Sequence, residues 1–252
     1  MSAALQAQFR RTEYKAPQGW RSKAIKVVVI GAGGNGSEVV DTLATFHHGL
    51  ISLGHPAGLE VKVIDDAVVR EPNLVRQRFW PCDLGQNKAI ALVNRYNLML
   101  GLQWQAIPER FPGLAGYGAV QSADIVISAV DTASARREVA TSKNHRDGMW
   151  LDLGNAHRHG QVIFGALNST KRTKYPNAVD IYPEILTMED SLEKSCSAAE
   201  SLATQDCLIN RAVTTAGMSI IWELLRYGKT DKNVVSVNLE TGENMVGQFP
   251  NH

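Results

Sequence analysis

The chain has 252 residues, of which 44% are hydrophobic and 20% are charged, and its formal net charge is +1. This length and hydrophobic content predict one large domain with a full apolar core, and the even charge balance gives no electrostatic reason to expect nucleic-acid or membrane binding. No apolar run is long enough to cross a membrane, and the N-terminus lacks the apolar core of a secretion signal, so we expect a cytoplasmic protein.

Strands and helices alternate along the chain after a polar N-terminal extension, residues 1–24, predicted to lie outside the core. The first strand, residues 26–30, leads through a glycine-rich turn into a helix, and an irregular segment, residues 47–58, precedes the second strand, residues 61–64. The later predicted elements are a helix at 87–100, strands at 103–107 and 125–129, a helix at 133–145, strands at 149–153 and 161–166, a helix at 208–226 and a strand at 234–239. Residues 168–195 lack periodicity and are predicted to form a long crossover loop. This order predicts one α/β domain, residues 25–252, with a doubly wound, Rossmann-like, mostly parallel sheet and helices on both faces.

The turn after the first strand carries a nucleotide-binding pattern. In VVVIGAGGNGSEVV, three glycines fit the spacing G-x-G-x-x-G, namely Gly31, Gly33 and Gly36, and Gly34 is an additional glycine. A strand, a glycine turn and a helix start form a phosphate cradle, because free backbone N–H groups and the helix dipole point at the anion. The pattern alone fits a dehydrogenase, a flavoprotein, a methyltransferase or an ATP-using enzyme equally well.

Polar residues beyond the second strand favour a triphosphate. Asp65 ends that strand, where a carboxylate would bind a nucleotide ribose. The side chains that can overhang the phosphates are Asn73, Arg76, Gln77, Arg78 and Lys88. A triphosphate that is cleaved needs such cations, because negative charge moves onto the leaving pyrophosphate. A solvated charged surface is the alternative interpretation of these residues.

Asp131 follows the strand that ends in ISAVD and faces the same crevice. Mg²⁺ is held in such sites by one or two carboxylates together with phosphate oxygens, so Asp131 is a candidate magnesium ligand. The alternative is that Asp131 caps the N-terminus of the following helix.

The sequence resembles the ThiF/MoeB/HesA family, which is related to the adenylation half of ubiquitin-activating enzymes. The segments that carry the resemblance are GAGGNG from Gly31, VIDDAVVREPNLVRQ from Val63, Lys88, and AVDTASAR from Ala129. It covers about residues 25–239. Two later segments, SCSAAESLATQDCLIN and VVSVNLETG, are most similar to ThiF-related proteins of a plasmid-borne cassette called PRTRC.

The resemblance implies ATP-dependent adenylation of the C-terminal carboxylate of a ubiquitin-like β-grasp protein. Carried over residue by residue, the resemblance implies that Asp65 binds the ribose and Asp131 holds Mg²⁺. It implies that the phosphates are contacted by Gly31, Gly33, Gly34, Gly36, Asn73, Arg76, Gln77 and Lys88. Arg76 and Lys88 would stabilise charge in the transition state, and Gly34 would give the backbone room near the triphosphate. Family members usually form homodimers in which an arginine of the second copy enters the site, a role open to Arg10 or Arg11.

The chain departs from the family pattern at two carboxylate positions, where it has Ala67 and Ser128. Paired C-x-x-C motifs are also absent, so no zinc is expected. Among the cysteines, Cys196 could accept the activated acyl group if a helix start lowers its pKa, or be an inert thiol, whereas Cys82 is predicted to be structural and Cys207 to lie in the core.

Three other functions remain open from the sequence. The glycine loop and Asp65 would also suit an NAD(P)-dependent oxidoreductase, which leaves residues 73–88 unexplained. An adenylating dehydratase acting on a modified tRNA base has the same fold, but would want a more basic surface. A non-catalytic scaffold is compatible with Ala67 and Ser128.

Overall fold

A computed structural model of the chain describes residues 12–190 and 205–251. The strands of this part are β1 Tyr14–Lys15, β2 Ile25–Ile30, β3 Leu59–Ile64, β4 Gln105–Ile107, β5 Ile125–Ser128, β6 Met149–Asn155, β7 His159–Ala166, β8 Lys229–Thr230, β9 Lys232–Asn238 and β10 Asn244–Gln248. Eight of them form one sheet in the order β10-β9-β7-β6-β5-β2-β3-β4, and β1 pairs with β8 in a separate ribbon.

The α-helices of the described part are α1 Gly34–Ser52, α2 Lys88–Leu100, α3 Leu114–Gln121, α4 Ala133–Thr141, α5 Ala178–Ile181 and α6 Ile209–Tyr227. They pack on both faces of the sheet, because its inner strands are apolar on both sides. Along β2, Val27 and Val29 belong to the core under α1, α2 and α6, whereas Val28 and Ile30 belong to the core under α3, α4 and α5. The predicted fold class, a mostly parallel sheet with helices on both faces, is confirmed.

The order of the parallel strands creates a crevice next to β2. The strands β4, β3, β2, β5 and β6 are parallel, while β7, β9 and β10 extend the sheet with antiparallel pairs. The chain leaves β2 toward β3 and β4 and then returns to the other side of β2 as β5. Ligands of doubly wound folds bind at the carboxyl edge where the direction of progression reverses, which here lies between β2 and β5.

The later part of the N-terminal extension packs against the domain, unlike the sequence-based expectation. Tyr14 and Trp20 are 5% and 8% exposed. The Tyr14 ring makes edge contacts with Phe164 and Tyr175, and His55 Nε2 bonds to the Trp20 carbonyl at 2.5 Å. Aromatic side chains in this polar segment thus anchor it to the core.

The predicted irregular segment 47–58 is wrong in its first half, because α1 continues to Ser52. Gly49 lies inside this helix, and a Cβ there would come within 2.9 Å of the Trp222 ring. The glycine that indicated a loop in the sequence instead makes room for a tryptophan of α6. In the same helix, His47 Nδ1 bonds with the backbone of Leu59.

The predicted crossover loop contains short helical turns up to residue 190. These are the 3-10 turns Ser169–Lys171 and Pro183–Leu186 and the short helix α5. Arg137 of α4 fixes this segment by donating hydrogen bonds to the carbonyls of Ile185 and Met188. Within the described ranges, no helix combines the length and apolarity needed to span a membrane.

Candidate functional site

Three glycines shape the loop between β2 and α1. Gly31 has φ of +89°, and a Cβ there would lie 2.7 Å from the carbonyl oxygen of Ala129, so only glycine permits this approach of the β2 and β5 ends. A Cβ on Gly36 would overlap the Gly31 carbonyl oxygen at 1.8 Å. A Cβ on Gly33, by contrast, would meet nothing within 4 Å. Gly33 therefore faces open space at the N-terminus of α1, where an anion is favoured.

Gly34 lies against a side chain of α6. A Cβ at Gly34 would lie within 2.4 Å of the Asn210 side-chain nitrogen. The space on the Cβ side of this glycine is occupied by an asparagine of α6. The close contact joins the first turns of α1 and α6.

Asp65 follows β3 and is tied to the glycine loop. Its Oδ2 accepts a hydrogen bond from the Ala32 N–H at 2.6 Å, and its Oδ1 accepts one from the Ala67 N–H at 2.8 Å. Burial raises the pKa of Asp65, and these hydrogen bonds oppose that shift. Each oxygen of this carboxylate thus binds the N–H group of a different backbone segment of the crevice.

Lys88, the first residue of α2, is a buried cation at the same edge, 9% exposed. Burial lowers the pKa of Lys88, and the carboxylates of Asp65 and Asp131 oppose the change, so the three charged groups act on one another. Among the residues that the structure describes, no carboxylate forms an ion pair with Lys88. A desolvated ammonium of this kind can accept an additional anion.

Arg76 contacts the residues around the start of α6. Its Nη1 donates hydrogen bonds to the Gln205 side-chain oxygen and, at 3.3 Å, to Asn210 Oδ1. Burial lowers the pKa of Arg76. The sequence did not indicate Gln205 or Asn210 as partners of Arg76, because they lie 129 and 134 positions away along the chain.

The other residues of the predicted phosphate-contact segment differ in their roles. Asn73 accepts a hydrogen bond at its Oδ1 from the Arg70 N–H at 2.8 Å, which orients its amide group. Gln77 keeps a buried Oε1 without a hydrogen-bond partner in the described part of the chain. Arg78 forms ion pairs with two carboxylates of α1, Glu38 at 2.9 Å and Asp41 at 3.4 Å.

A polar network under the crevice involves Ser128, where relatives often carry an aspartate. Ser128 Oγ donates to Asp152 Oδ1 at 2.5 Å and accepts from Trp150 Nε1 at 2.7 Å. Arg136 Nε donates to both oxygens of Asp152 at 3.0 Å, and its Nη2 donates to the Val130 carbonyl at 2.8 Å. The network thereby fixes the backbone just before Asp131.

Asp131 is exposed, and the helix-cap alternative for it is not observed. The first turn of α4 is capped instead by Asp190, which accepts hydrogen bonds from the Ser134 N–H at 3.0 Å and from Ser134 Oγ at 2.5 Å. These bonds lower the pKa of Asp190. The Asp131 carboxylate is therefore left at the crevice edge, within electrostatic reach of Lys88.

The sequence model of the ThiF family matches residues 5–246, nearly the whole chain. The chain belongs to the ThiF family. No curated protein sequence matches it. This membership agrees with the structure, in which the glycine loop, Asp65, Lys88 and Asp131 lie at the carboxyl edge of the parallel strands.

Several solved structures have the same fold as this ThiF-family chain and belong to longer proteins. Escherichia coli MccB crystallised with ATP has a TM-score of 0.64 and 16% identity, covering 92% of this chain and 65% of MccB. MccB crystallised with AMPCPP and MccA has a TM-score of 0.63 and 16% identity, covering 92% and 66%. PaaA has a TM-score of 0.60 and 16% identity, covering 91% and 65%. The chain thus spans about two thirds of the length of these proteins.

The described residues of this ThiF-family protein contain no cluster of three or more histidine, cysteine, aspartate or glutamate side chains that could hold a metal alone. A magnesium ion that arrives with a nucleotide needs only one or two carboxylates, since phosphate and water oxygens complete its shell. Asp131 fits that requirement, because it is exposed and lies within electrostatic reach of Lys88.

The cysteines differ from expectation in one case. Cys207 is exposed, not in the core, because it lies in the turn before α6, with its Sγ 3.9 Å from the Val75 carbonyl oxygen and close to Arg76. Cys82 is also exposed. Cys196, Arg10 and Arg11 lie outside the residues that the structure describes.

Proposed function

We propose that this ThiF-family protein is an ATP- and Mg²⁺-dependent adenylyltransferase that activates the C-terminal carboxylate of a small protein or peptide. A ubiquitin-like β-grasp protein is the acceptor that we favour, because the resemblance of the glycine loop and of NLVRQ is to enzymes that act on such proteins. Gly31, Gly33, Gly34 and Gly36 would line the phosphate site.

The observation that carries the proposal is the buried Lys88 near Asp65, whose carboxylate binds the glycine loop. A dinucleotide site needs no such cation, because backbone N–H groups already bind a pyrophosphate. A desolvated ammonium near Asp65 and Asp131 suits a ligand with several negative charges. It suits in particular a triphosphate, whose leaving pyrophosphate gains negative charge during the reaction. Arg76, which contacts residues around the start of α6, would add a second cation for the same charge.

The structural relatives support binding of a nucleotide together with a second ligand. MccB has been crystallised with ATP, and also with AMPCPP together with MccA. This chain covers the part of MccB that matches in fold, about two thirds of it. By analogy, we place ATP on the glycine loop and the acceptor terminus at the adjoining strand ends.

The proposed step is a displacement at phosphorus. One oxygen of the acceptor carboxylate attacks the α-phosphorus of ATP, and the bond from that phosphorus to the bridging oxygen of pyrophosphate breaks. Pyrophosphate leaves with the electron pair, which yields an acyl-adenylate. Lys88 and Arg76 would stabilise the growing charge, Asn73 and Gln77 would contact the phosphates, and Asp65 would bind the ribose. Asp131 would hold Mg²⁺, which neutralises phosphate charge when bound.

Further parts of the proposal come from the sequence and from the family resemblance. The enzyme would be a cytoplasmic homodimer in which Arg10 or Arg11 of a second copy reaches the site. The acyl group could pass from the adenylate to a thiol, with Cys196 as the candidate from sequence. Cys207 is an additional candidate because its thiol lies close to Arg76.

Exchange of labelled pyrophosphate into ATP tests the proposal, using the full chain with a panel of small proteins and peptides that end in a free carboxylate. We expect exchange that requires one of these acceptors and falls at least about 100-fold in Arg76→Ala and in Asp131→Asn. Arg78→Gln is the matched control, since that arginine is tied to Glu38 and Asp41. Exchange that is unchanged in both variants would exclude the proposed site, and tight NADH binding without ATP binding would favour an oxidoreductase.

A further inference from the structure

Three asparagines form a continuous hydrogen-bonded chain across the crevice. Arg76 Nη1 donates to Asn210 Oδ1 at 3.3 Å, Asn210 Nδ2 donates to Asn35 Oδ1 at 2.9 Å, and Asn35 Nδ2 donates to Asn155 Oδ1 at 2.7 Å. We call Asn210, Asn35 and Asn155 the asparagine chain. All its donors point in the same direction, away from the Arg76 guanidinium, so each bond polarises the next amide.

The asparagine chain ends in a donor without an acceptor. Asn155 Nδ2 is buried and has no hydrogen-bond partner among the residues that the structure describes. Buried polar groups are nearly always paired, and an unpaired one is costly, so an orphan of this kind requires a reason. The other amides of the chain are satisfied at both ends, which makes the terminal N–H₂ group the exception.

The position of Asn155 separates it from the nucleotide half of the crevice. Asn155 is the last residue of β6, whereas the glycine loop follows β2 and Asp65 follows β3. In the sheet order β6-β5-β2-β3, the strand β5 that leads to Asp131 lies between them. A nucleotide on β2 and β3 therefore leaves the ends of β5 and β6 for the second substrate.

We propose that Asn155 Nδ2 donates a hydrogen bond to one oxygen of the terminal carboxylate of the acceptor, and that Asn35 and Asn210 hold it in that position. This inference rests on the proposed function and names how its second substrate is recognised. A neutral amide suits the task, because it orients a carboxylate without neutralising it. A lysine or arginine in its place would reduce the nucleophilicity of the attacking oxygen.

The substitution Asn155→Asp tests this role with little change of shape. An aspartate keeps the oxygen that accepts from Asn35 and replaces the donor by a second oxygen, which repels a carboxylate ligand. The matched control is Asn94→Asp, the same change at an exposed position of α2.

The experiment uses the full chain with AMPCPP and heptapeptides that carry a free C-terminal carboxylate, one for each possible last residue. We expect the peptide that binds best to bind at least about tenfold more weakly to Asn155→Asp, while AMPCPP binding is unchanged and Asn94→Asp behaves as the wild type. Equal peptide affinity in Asn155→Asp and wild type would overturn the proposal.

A second measurement needs no variant and no turnover. In a ¹⁵N nuclear magnetic resonance titration of the wild type, the side-chain amide of Asn155 should shift saturably with the same peptide. No saturable shift with any of the heptapeptides would also overturn the proposal. Because neither measurement depends on pyrophosphate exchange, a failure of the proposed function would be seen separately.

Discussion

The carboxylate of Asp65 accepts a hydrogen bond of 2.6 Å from the backbone N–H of Ala32, which joins the end of β3 to the glycine loop after β2. The second oxygen of Asp65 binds the Ala67 N–H, so one side chain holds two backbone segments of the crevice. An acid at this position thus shapes the loop before any nucleotide arrives.

Asp65→Asn should destabilise the protein, because the amide nitrogen must face one of the two N–H groups and cannot accept from it. We expect a loss of about 1–3 kcal/mol in the free energy of unfolding, or roughly 2–10 °C in Tm, and weaker ATP binding. Thermal unfolding and nucleotide titration measure these effects. The exposed neighbour variant Asp66→Asn is the control, and an unchanged Tm in Asp65→Asn would contradict the structural role.

Lys88→Met should stabilise the protein while abolishing adenylation, because methionine fills the same space without a buried charge. We expect a gain of about 1 kcal/mol, or roughly 2–4 °C in Tm, for a chain of this size. The exposed Lys143→Met is the control for removal of a positive charge. A lower Tm in Lys88→Met would mean that its attraction to Asp65 and Asp131 outweighs its burial.

The same lysine should give the unliganded protein a measurable pH dependence. Burial lowers the pKa of Lys88 below its usual value of 10.5. Between the two values the unfolded chain binds more protons than the folded protein, so the contribution of Lys88 to stability rises with pH in that range. Unfolding in denaturant at several alkaline pH values should show this rise in the wild type and a flatter profile in Lys88→Met.

The sequence predicts the parts of the fold that depend on neighbouring residues. A β-branched run, glycines at fixed spacing and an apolar helical stripe are local signals, and they placed β2, the loop and α1 correctly. Contacts between residues that are far apart in the chain could not be predicted from the sequence. Gly49 lies inside a helix because Trp222 packs on it, and Tyr14 is buried because Phe164 and Tyr175 surround it.

The candidate site was predictable to the same extent. Asp65 and Lys88 follow from their places at strand and helix ends; the structure joins Asp65 to the glycine loop and places Lys88 within electrostatic reach of Asp65. The asparagine chain does not follow from spacing, because its bonds join residues 175 and 120 positions apart. The one local signal was Asn35 between two glycines, a polar residue at a tightly packed position.

Gln205→Glu should weaken ATP binding, because the new carboxylate would pair with Arg76 and compete with phosphate. We expect about a tenfold higher Kd for ATP at low ionic strength, with a smaller difference at high salt. Gln205→Ala removes the hydrogen bond without adding charge, so its Kd should be equal to or lower than that of the wild type. Equal affinities for the Glu and Ala variants would show that Arg76 does not contact the nucleotide.

Ser128→Asp should be strongly destabilising in this chain, although relatives often carry aspartate at that position. The new carboxylate would be buried beside Asp152, which already accepts from Ser128 and Arg136. We expect a loss of about 3–5 kcal/mol, and recovery of at least half of it in Ser128→Asp/Asp152→Asn, where one negative charge remains for Arg136. Additive losses in the double variant would show that the two positions do not share one charge site.

Alkylation of Cys207 should report whether a nucleotide occupies the crevice. The exposed Cys207 thiol lies close to Arg76, the residue that we assign to the phosphates, so bound ATP should restrict access to it and change its electrostatic surroundings. We expect iodoacetamide to label Cys207 at least about threefold more slowly with saturating ATP, while labelling of the exposed Cys82 is unchanged. Mass spectrometry of the digested protein measures both sites in one sample. Equal protection of the two cysteines would indicate general tightening of the fold, and no protection of Cys207 would place the phosphates away from Arg76.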